Sequence, residues 1–351
     1  MFETLASWEN LLFAYRAASR GKRRHPNVAA FEHRLEDELA ALRRGLIERS
    51  YRPGGYTSFY IHEPKRRLIS AAPFRDRVIH HALVQMIEPI FERSFVFDSY
   101  ANRIGKGTHR ALDRCQHLAR HHRYVLQLDL RQFFPSIDHS VLRGLLALKV
   151  HDEGVLWLID QILASGAGVL DNDYDMVYFP GDDLFAINRP RGLPIGNLTS
   201  QFWANVLLNP VDHFILRELR CSGYVRYVDD LLLFGESKSA LWDAKPAVEE
   251  RLARLRLTSH SGAHPRPVRE GIPFLGFVVW PDRRRLKQRN GMRFRRRLRG
   301  LAHALEAGEI TREAFAASLQ GWANHARYGN TTGLRRAILT EVSARERLME
   351  V

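Results

Sequence analysis

The chain has 351 residues, of which 45% are hydrophobic, so it can form a folded protein of two or three subdomains and wholesale disorder is disfavoured. Lysine and arginine number 53 against 39 acids, a net charge of +14 that favours a polyanionic partner, nucleic acid most commonly or an anionic membrane surface. The two cysteines are far apart in sequence, which argues against a disulfide framework and a cysteine zinc site. No apolar run approaches the ~20 residues of a membrane span, and the N-terminal residues do not follow the pattern of a secretory signal. These features predict a cytoplasmic location.

The first third of the chain is predicted to be helices around one hairpin. Apolar residues at three- and four-residue spacing predict helix within residues 1–50 and again within residues 75–96. Between these ranges, Pro53 breaks the helical pattern, and residues 56–61 and 67–70 are predicted to pair as strands around a basic turn.

The rest of the chain alternates short strands with helices. The predicted elements are a strand at 124–130, a helix at 140–165, a loop or hairpin insertion at 168–192, a helix at 196–216, a strand–turn–strand at 224–235, a helix at 240–256, a strand at 274–280 and basic helices over 290–349. Because hairpins and helices are interleaved, the fold class is predicted to be α+β and not a regular βαβ array.

Two adjacent acids, Asp229 and Asp230, stand between two apolar β-type runs. Adjacent acids in a turn are more often solvated turn residues than catalytic ones. Both flanking runs here are unusually apolar for a surface hairpin, and buried acids repel each other unless a cation neutralises them. The pattern therefore makes the pair a candidate metal site.

A third acid, Asp129, ends the apolar strand VLQLDL. Its alternative role is to cap the following helix, a role that also suits Asp138. If the two strands pack side by side, Asp129 joins Asp229 and Asp230, and these hard oxygen ligands suit Mg²⁺. Two such ions about 3.5–4 Å apart can support in-line phosphoryl displacement.

These segments together resemble the reverse transcriptase family. Tyr227-Val228-Asp229-Asp230 is similar to its Tyr-x-Asp-Asp box, and Asp129 to its first metal-binding acid. Further similar segments occur in the family's order over roughly residues 50–330: 64–69, 75–79, 100–109, 192–201, 273–277 and 321–326. The resemblance implies a right-hand polymerase fold with an N-terminal helical extension (1–50), fingers with part of the palm (51–123), an antiparallel palm (124–280, with the insertion 168–192) and a basic helical thumb (281–351).

The resemblance also implies an activity, RNA-directed DNA synthesis, and the roles of individual residues. Two Mg²⁺ ions, replaceable by Mn²⁺, are expected on the three aspartates and the backbone carbonyl of Leu130. The implied nucleotide-binding residues are Lys65, Arg67, Phe133, Phe134, Ile195 and Gly196. The implied template–primer residues are Arg103, Lys106, Tyr227, Arg283, Arg284, Arg285 and Arg295. The alternatives are a solvated basic turn for Lys65 and Arg67, ordinary core for the phenylalanines, and a solvated charged face for the arginine run.

The residues of the segment 192–201 indicate which group of reverse transcriptases the chain resembles. Ile195-Gly196, followed by Ser200-Gln201, resembles the reverse transcriptases of diversity-generating retroelements. This resemblance implies copying of a template RNA into cDNA with errors at template adenines, and a small basic helical accessory protein as a partner. The alternatives are a defence, retron or group II-like reverse transcriptase, and a non-catalytic RNA-binding descendant.

One segment departs from the family pattern. Many members carry a lysine between the catalytic hairpin and the Phe-Leu-Gly strand, and residues 257–266 contain none. His260, His264 and Arg266 are candidate replacements, with a surface role as the alternative for each. The departure bears on the efficiency of the reaction more than on its type.

Overall fold

The computed structural model describes residues 1–62 and 66–349, with the side chains of 342–349 left out. Lys65, a predicted triphosphate ligand, lies outside the described residues. The N-terminal fifty residues form four helices, as predicted: α1 (Phe2–Leu5), α2 (Trp8–Ser19), α3 (Pro26–His33) and α4 (Leu35–Ile47). The side chain of Ser7 caps α2 by accepting a hydrogen bond from the backbone N–H of Asn10 at 3.2 Å.

The predicted hairpin is confirmed. Strands β1 (Thr57–Ile61) and β2 (Arg67–Ala71) pair antiparallel, and α5 (Phe74–Glu92) follows them. Helix α6 (Thr108–His121) is absent from the predicted elements. Its buried residues recur at helical spacing from Ala111 to Ala119, so the pattern is present in the sequence, but most of them are small or polar and only Leu112 and Leu118 are large and apolar.

The centre of the molecule is a four-stranded antiparallel sheet in the order β4-β5-β3-β6. Its strands are β3 (Tyr124–Asp129), β4 (Gly223–Tyr227), β5 (Asp230–Gly235) and β6 (Arg266–Pro267). Side chains alternate between two cores, so Leu231 and Leu233 face one core while Leu232 and Phe234 face the other. Helix α6 and the second core cover that second face.

The larger core lies between the sheet and a helical layer. The helices after β3 are α7 (Phe133–Ser136), α8 (His139–Ala147), α9 (Glu153–Gly166), α10 (Leu198–His213) and α11 (Lys238–Ala253). The helical region predicted at 140–165 is confirmed, but it consists of two helices because the chain breaks between α8 and α9. The side chain of Asp152 caps α9 there by accepting hydrogen bonds from the N–H groups of Gly154 and Val155. Residues 168–192 form a loop with two short 3₁₀ turns.

The prediction of a single strand at 274–280 is wrong. The segment is a hairpin of β7 (Ile272–Phe274) and β8 (Phe277–Val279), extended by β9 (Arg284–Leu286). Leu275 and Gly276 turn the chain with φ of 44° and 86°, a left-handed pair that the glycine accommodates readily.

Three helices end the described chain, as predicted, and the first and third hold most of their arginines: α12 (Gln288–Glu306), α13 (Arg312–Ala326) and α14 (Thr332–Met349). They share a small core in which the rings of Phe294 and Trp322 stack with centroids 4.3 Å apart. None of the helices in the described ranges combines the length and apolar character that crossing a bilayer requires.

Candidate active site

The sheet brings the three predicted aspartates to one end of two neighbouring strands. Asp129 and Asp230 are direct partners in the β3–β5 register. Asp229 lies in the two-residue turn between β4 and β5, and its carbonyl accepts a hydrogen bond from the N–H of Leu130 at 3.1 Å. The expectation that two strands would place three acids together is therefore met in the backbone geometry.

A polar side chain on the same face of β3 orients one of these acids. Gln127, two residues before Asp129, donates from Nε2 to Asp230 Oδ1 at 2.9 Å. Its Oε1 accepts a hydrogen bond from Arg266 Nη2 at 2.9 Å. Because a guanidinium only donates, Arg266 fixes which end of the amide faces Asp230. Arg266, a candidate replacement for the missing lysine, therefore reaches the acids through Gln127.

The acids are electrostatically unfavourable together. Burial raises the pKa of Asp230 to about 7, with Asp129 and Asp229 adding to the effect and Gln127 and Lys287 opposing it. A carboxyl crowded by two other carboxylates is stabilised by a cation placed between them.

The residues fit a divalent metal ion by donor chemistry. Carboxylate oxygens are preferred ligands of Mg²⁺, and the Asp129 side chain is 50% exposed and hence open to an ion from solvent. In the part of the chain that the structure describes, no three acid, histidine or cysteine side chains already form an ion cage. The side chains of Asp129, Asp229 and Asp230 would need to turn toward one ion.

The segment that lacks the family lysine runs along the end of β3. The carbonyl of Asp129 accepts from the N–H of His260 at 3.0 Å, and the N–H of Arg131 donates to the carbonyl of Thr258. His260 Nε2 is 3.9 Å from Asp129 Oδ2. His264 is exposed and contacts the carbonyl of Gly262. Of the three candidates, His260 is thus the one beside Asp129.

Backbone hydrogen bonds connect the segments that carry Phe134, Ile195 and Arg67. The carbonyl of Phe134 accepts from the N–H of Leu193 at 3.0 Å, and the carbonyl of Ile195 accepts from the N–H of Ser70 at 2.9 Å. Strand β2, which begins at Arg67, therefore contacts the turn at Ile195 and Gly196, and that turn follows the segment paired with Phe134. Arg67 is exposed at the start of this strand.

The two adjacent phenylalanines differ in environment. Phe133 is 3% exposed and belongs to the main core, whereas Phe134 is half-buried at its edge. Their rings contact edge to face with centroids 5.3 Å apart. The alternative of ordinary core therefore describes Phe133, and Phe134 is the ring with an open side.

Two of the predicted template–primer arginines are engaged within the protein. Arg103 pairs with both carboxylate oxygens of Glu92 and donates to two backbone carbonyls, and its side chain is 5% exposed. Arg284 donates to Gln116 at 2.7 Å and to Asp113 at 2.6 Å. Both placements favour a structural role for these side chains.

The other predicted template–primer residues vary in exposure. Lys106 donates to the carbonyl of Phe97, and the hydroxyl of Tyr227 is 3.0 Å from that of Thr108. Arg283 lies over the Trp280 ring. Arg285 and Arg295 are exposed.

A family comparison matches the architecture around these residues. The model of the reverse transcriptase (RNA-dependent DNA polymerase) family matches residues 61–277, more than half of the chain. The chain belongs to the reverse transcriptase family. Its α+β fold is that of right-hand polymerases, as the resemblance implied.

Curated relatives of this reverse transcriptase include intron and retron proteins. It is 27% identical to Protein YkfC of Escherichia coli over 237 residues, covering 63% of this chain and 58% of the relative. It is 28% identical to the group II intron-encoded protein LtrA of Lactococcus lactis over 186 residues (52% and 29%). It is 31% identical to the retron Mx162 reverse transcriptase of Myxococcus xanthus over 179 residues (50% and 33%). The chain thus spans less than two thirds of each relative's length.

The sequence analysis did not identify the polar residues that lie next to the three aspartates and the turn that carries them. Gln127 was detectable, because a polar residue two positions before Asp129 shares its face of the strand. Arg226 and Asp212 were harder to detect, since each is a lone charge in an apolar run, and both are 0% exposed. Their pairing depends on a strand and a helix that are separate in sequence.

Proposed function

We propose that this reverse transcriptase is an RNA-directed DNA polymerase whose nucleotidyl transfer takes place at Asp129, Asp229 and Asp230. The observation that carries the proposal is the register pairing of Asp129 with Asp230, with Asp229 in the adjoining turn. Family membership supports the reaction class, and the register supports the choice of these three residues.

The proposed cofactor is a pair of Mg²⁺ ions, with Mn²⁺ as a substitute, held by the three aspartates and the Leu130 carbonyl. When bound, such ions activate the primer 3′-hydroxyl and stabilise the leaving pyrophosphate. Gln127 keeps one oxygen of Asp230 in a hydrogen bond, which limits the rotation of that carboxylate.

The nucleotide is proposed to lie between the β1–β2 hairpin and the sheet. Lys65 and Arg67 would bind its triphosphate, Arg67 as an exposed guanidinium that suits phosphate. Phe134 would contact the sugar and exclude a 2′-hydroxyl, which favours deoxynucleotides. Ile195 and Gly196 would contact the nascent base pair, where an aliphatic side chain offers no hydrogen bonds.

The domain ranges follow the same proposal. Residues 51–123 are assigned to the fingers with part of the palm, 124–280 to the palm with the loop 168–192, and 281–351 to the thumb, after an N-terminal extension of 1–50. The exposed Arg285 and Arg295 are the strongest candidates for template–primer phosphates, because their side chains are open to solvent. Tyr227 and Lys106 remain proposed contacts.

A decisive test of the polymerase is primer extension on a defined RNA template with dNTPs and Mg²⁺. We expect the wild type to extend the primer and Asp229→Asn/Asp230→Asn to lose extension while still binding template–primer. The matched control is Asp160→Asn, an exposed acid on α9 paired with Arg143, which should extend as the wild type does. Equal product from the Asp229→Asn/Asp230→Asn variant would contradict the proposed site.

The finer proposal is a mutagenic enzyme of a diversity-generating retroelement, supported by the form of the Ile195–Gln201 segment. Its partners would be a template RNA, the cDNA primer and a small basic accessory protein. Sequencing the extension products decides the subtype: substitutions concentrated at template adenines support it, and accurate product contradicts it.

The second candidate is an accurate reverse transcriptase of the group II or retron kind, and the observation in its favour is the set of curated relatives. A non-catalytic RNA-binding protein is the third. It predicts RNA binding without extension by the wild type, even when the accessory protein and cellular RNA are supplied.

A further inference from the structure

A fully buried ion pair lies next to the turn of Val228 and Asp229, which is called the catalytic turn below. Arg226 on β4 and Asp212 on α10 are both 0% exposed, and two parallel hydrogen bonds of 2.7 Å join Nε to Oδ1 and Nη2 to Oδ2. The hydroxyl of Tyr224 donates to the same carboxylate at 2.7 Å. This arrangement uses two of the three guanidinium nitrogens.

The third nitrogen contacts the catalytic turn itself. Arg226 Nη1 donates to the carbonyl of Val228 at 3.2 Å and to Asn205 Oδ1 at 3.1 Å. Val228 is the first residue of the turn that carries Asp229, and its φ is 56°. A β-branched residue is strained in that left-handed region. Such a turn persists only where its surroundings fix it, and the guanidinium is one such fixed contact.

The same arginine joins the turn to a second segment. Its N–H donates to the carbonyl of Asp98, and its carbonyl accepts from the N–H of Tyr100 at 3.0 Å. Asn205 Nδ2 donates to the carbonyl of Ala101 at 2.9 Å. The start of the segment 100–109, predicted to contact template, is therefore attached to the residue that holds the turn.

Stability alone is a weak reason for such a pair. Replacing a buried ion pair with apolar residues of similar volume is often neutral or stabilising, because desolvation offsets the attraction. A planar guanidinium offers five donors in a fixed geometry, which lets one side chain span Asp212, Asn205 and the Val228 carbonyl at once. A lysine ammonium cannot span all three.

We propose that Arg226 is a positioning residue for nucleotidyl transfer. It holds the carboxylates of Asp229 and Asp230 in register with Asp129 through the Val228 carbonyl, and Asp212 and Asn205 orient its guanidinium. This inference rests on the proposed polymerase function at those aspartates.

The test compares the single variant Tyr224→Phe with a triple variant that also carries Arg226→Met and Asp212→Leu. Tyr224→Phe removes the hydroxyl but leaves the arginine's bond to the turn, and it should retain a near wild-type kcat. Adding Arg226→Met and Asp212→Leu removes both charges together, so no unpaired charge remains buried. We expect kcat for primer extension to fall about tenfold or more with KM for dNTP within about threefold, because misplacing reacting groups by a fraction of an ångström slows the chemical step.

A second variant and a second readout keep the test independent of folding and activity. Arg226→Lys retains the charge opposite Asp212 but cannot also reach the turn, so it should show the same loss of kcat. Hydrogen exchange of the Leu130 N–H, which donates to the Asp229 carbonyl, should become faster in both variants. Unchanged kcat and unchanged Leu130 exchange in both variants would overturn the positioning role. A wild type that extends no primer would instead refute the proposed function.

Discussion

A buried histidine in α5 makes the stability of the fold sensitive to mild acid. His80 is 1% exposed, and in the described part of the chain its Nδ1 has no hydrogen-bond partner. Burial lowers the pKa of His80 to about 3, and the neighbouring charges of His81 and Arg77 act in the same direction. The folded state therefore keeps this imidazole neutral at a pH where the unfolded chain takes up a proton.

The size of the effect follows from the two pKa values. With an unfolded pKa of about 6.5, the contribution of neutral His80 is fully present above pH 6.5 and is lost progressively as pH falls toward about 3. Between pH 7.5 and pH 5.5 this one group lowers the free energy of unfolding by about 1.4 kcal/mol. His80→Leu removes the titrating group and keeps an apolar side chain in the site.

The assay is urea unfolding at pH 7.5 and 5.5 for the wild type and His80→Leu. The loss of stability between the two pH values should be smaller in the variant by about 1.4 kcal/mol. His33→Leu controls for removing an exposed histidine. Identical losses in the wild type and His80→Leu would refute the reasoning, because they would mean that His80 takes up its proton equally in both states.

Three further outcomes follow from the proposed nucleotide and duplex contacts. Phe134→Ala should raise ribonucleotide incorporation by about tenfold or more, measured with rNTPs in primer extension, and unchanged discrimination would remove Phe134 from the sugar site. Gly196→Ala should raise KM for dNTP, because φ is 123° and a Cβ would lie 3.3 Å from the Ile69 side chain; an unaltered KM would contradict that contact. Arg285→Ala and Arg295→Ala should each lower the salt dependence of template–primer binding by about one unit of log–log slope, and an unchanged slope would place that side chain away from phosphate.

The acidic end of the sheet could be predicted from sequence because its signal is local. Each aspartate follows or precedes a short apolar strand, and a two-residue turn leaves one possible pairing between β4 and β5. The hairpin at 57–71 carried a similar local signal of two strands around a basic turn. Asp138 was also predicted as a helix cap, and its Oδ1 accepts from the N–H of Val141 at 3.0 Å.

The supporting residues could not be predicted, because their partners are distant in sequence. Hydrogen bonds link Arg266 to Asp230 through Gln127, and the sequence does not show that Arg103 is paired with Glu92. The break between α8 and α9 and the turn at Leu275 were missed for another reason. A short apolar run has the same composition whether it continues or reverses, and tertiary packing decides.

The pairing of Asp129 with Asp230 also limits where the chain can gain a residue. Side chains alternate with a period of two along a strand, so one added residue within β5 would exchange the leucines of the two cores beyond it. If those leucines kept their places, the added residue would instead move Asp230 off its partner Asp129. Substitutions in β5 alter one side chain at a time, whereas an added residue shifts every side chain beyond it. A library of single-residue insertions should therefore be depleted of active clones within residues 230–235 and tolerant within the loop 168–192, and equal tolerance in both would mean that the strands can slip without loss.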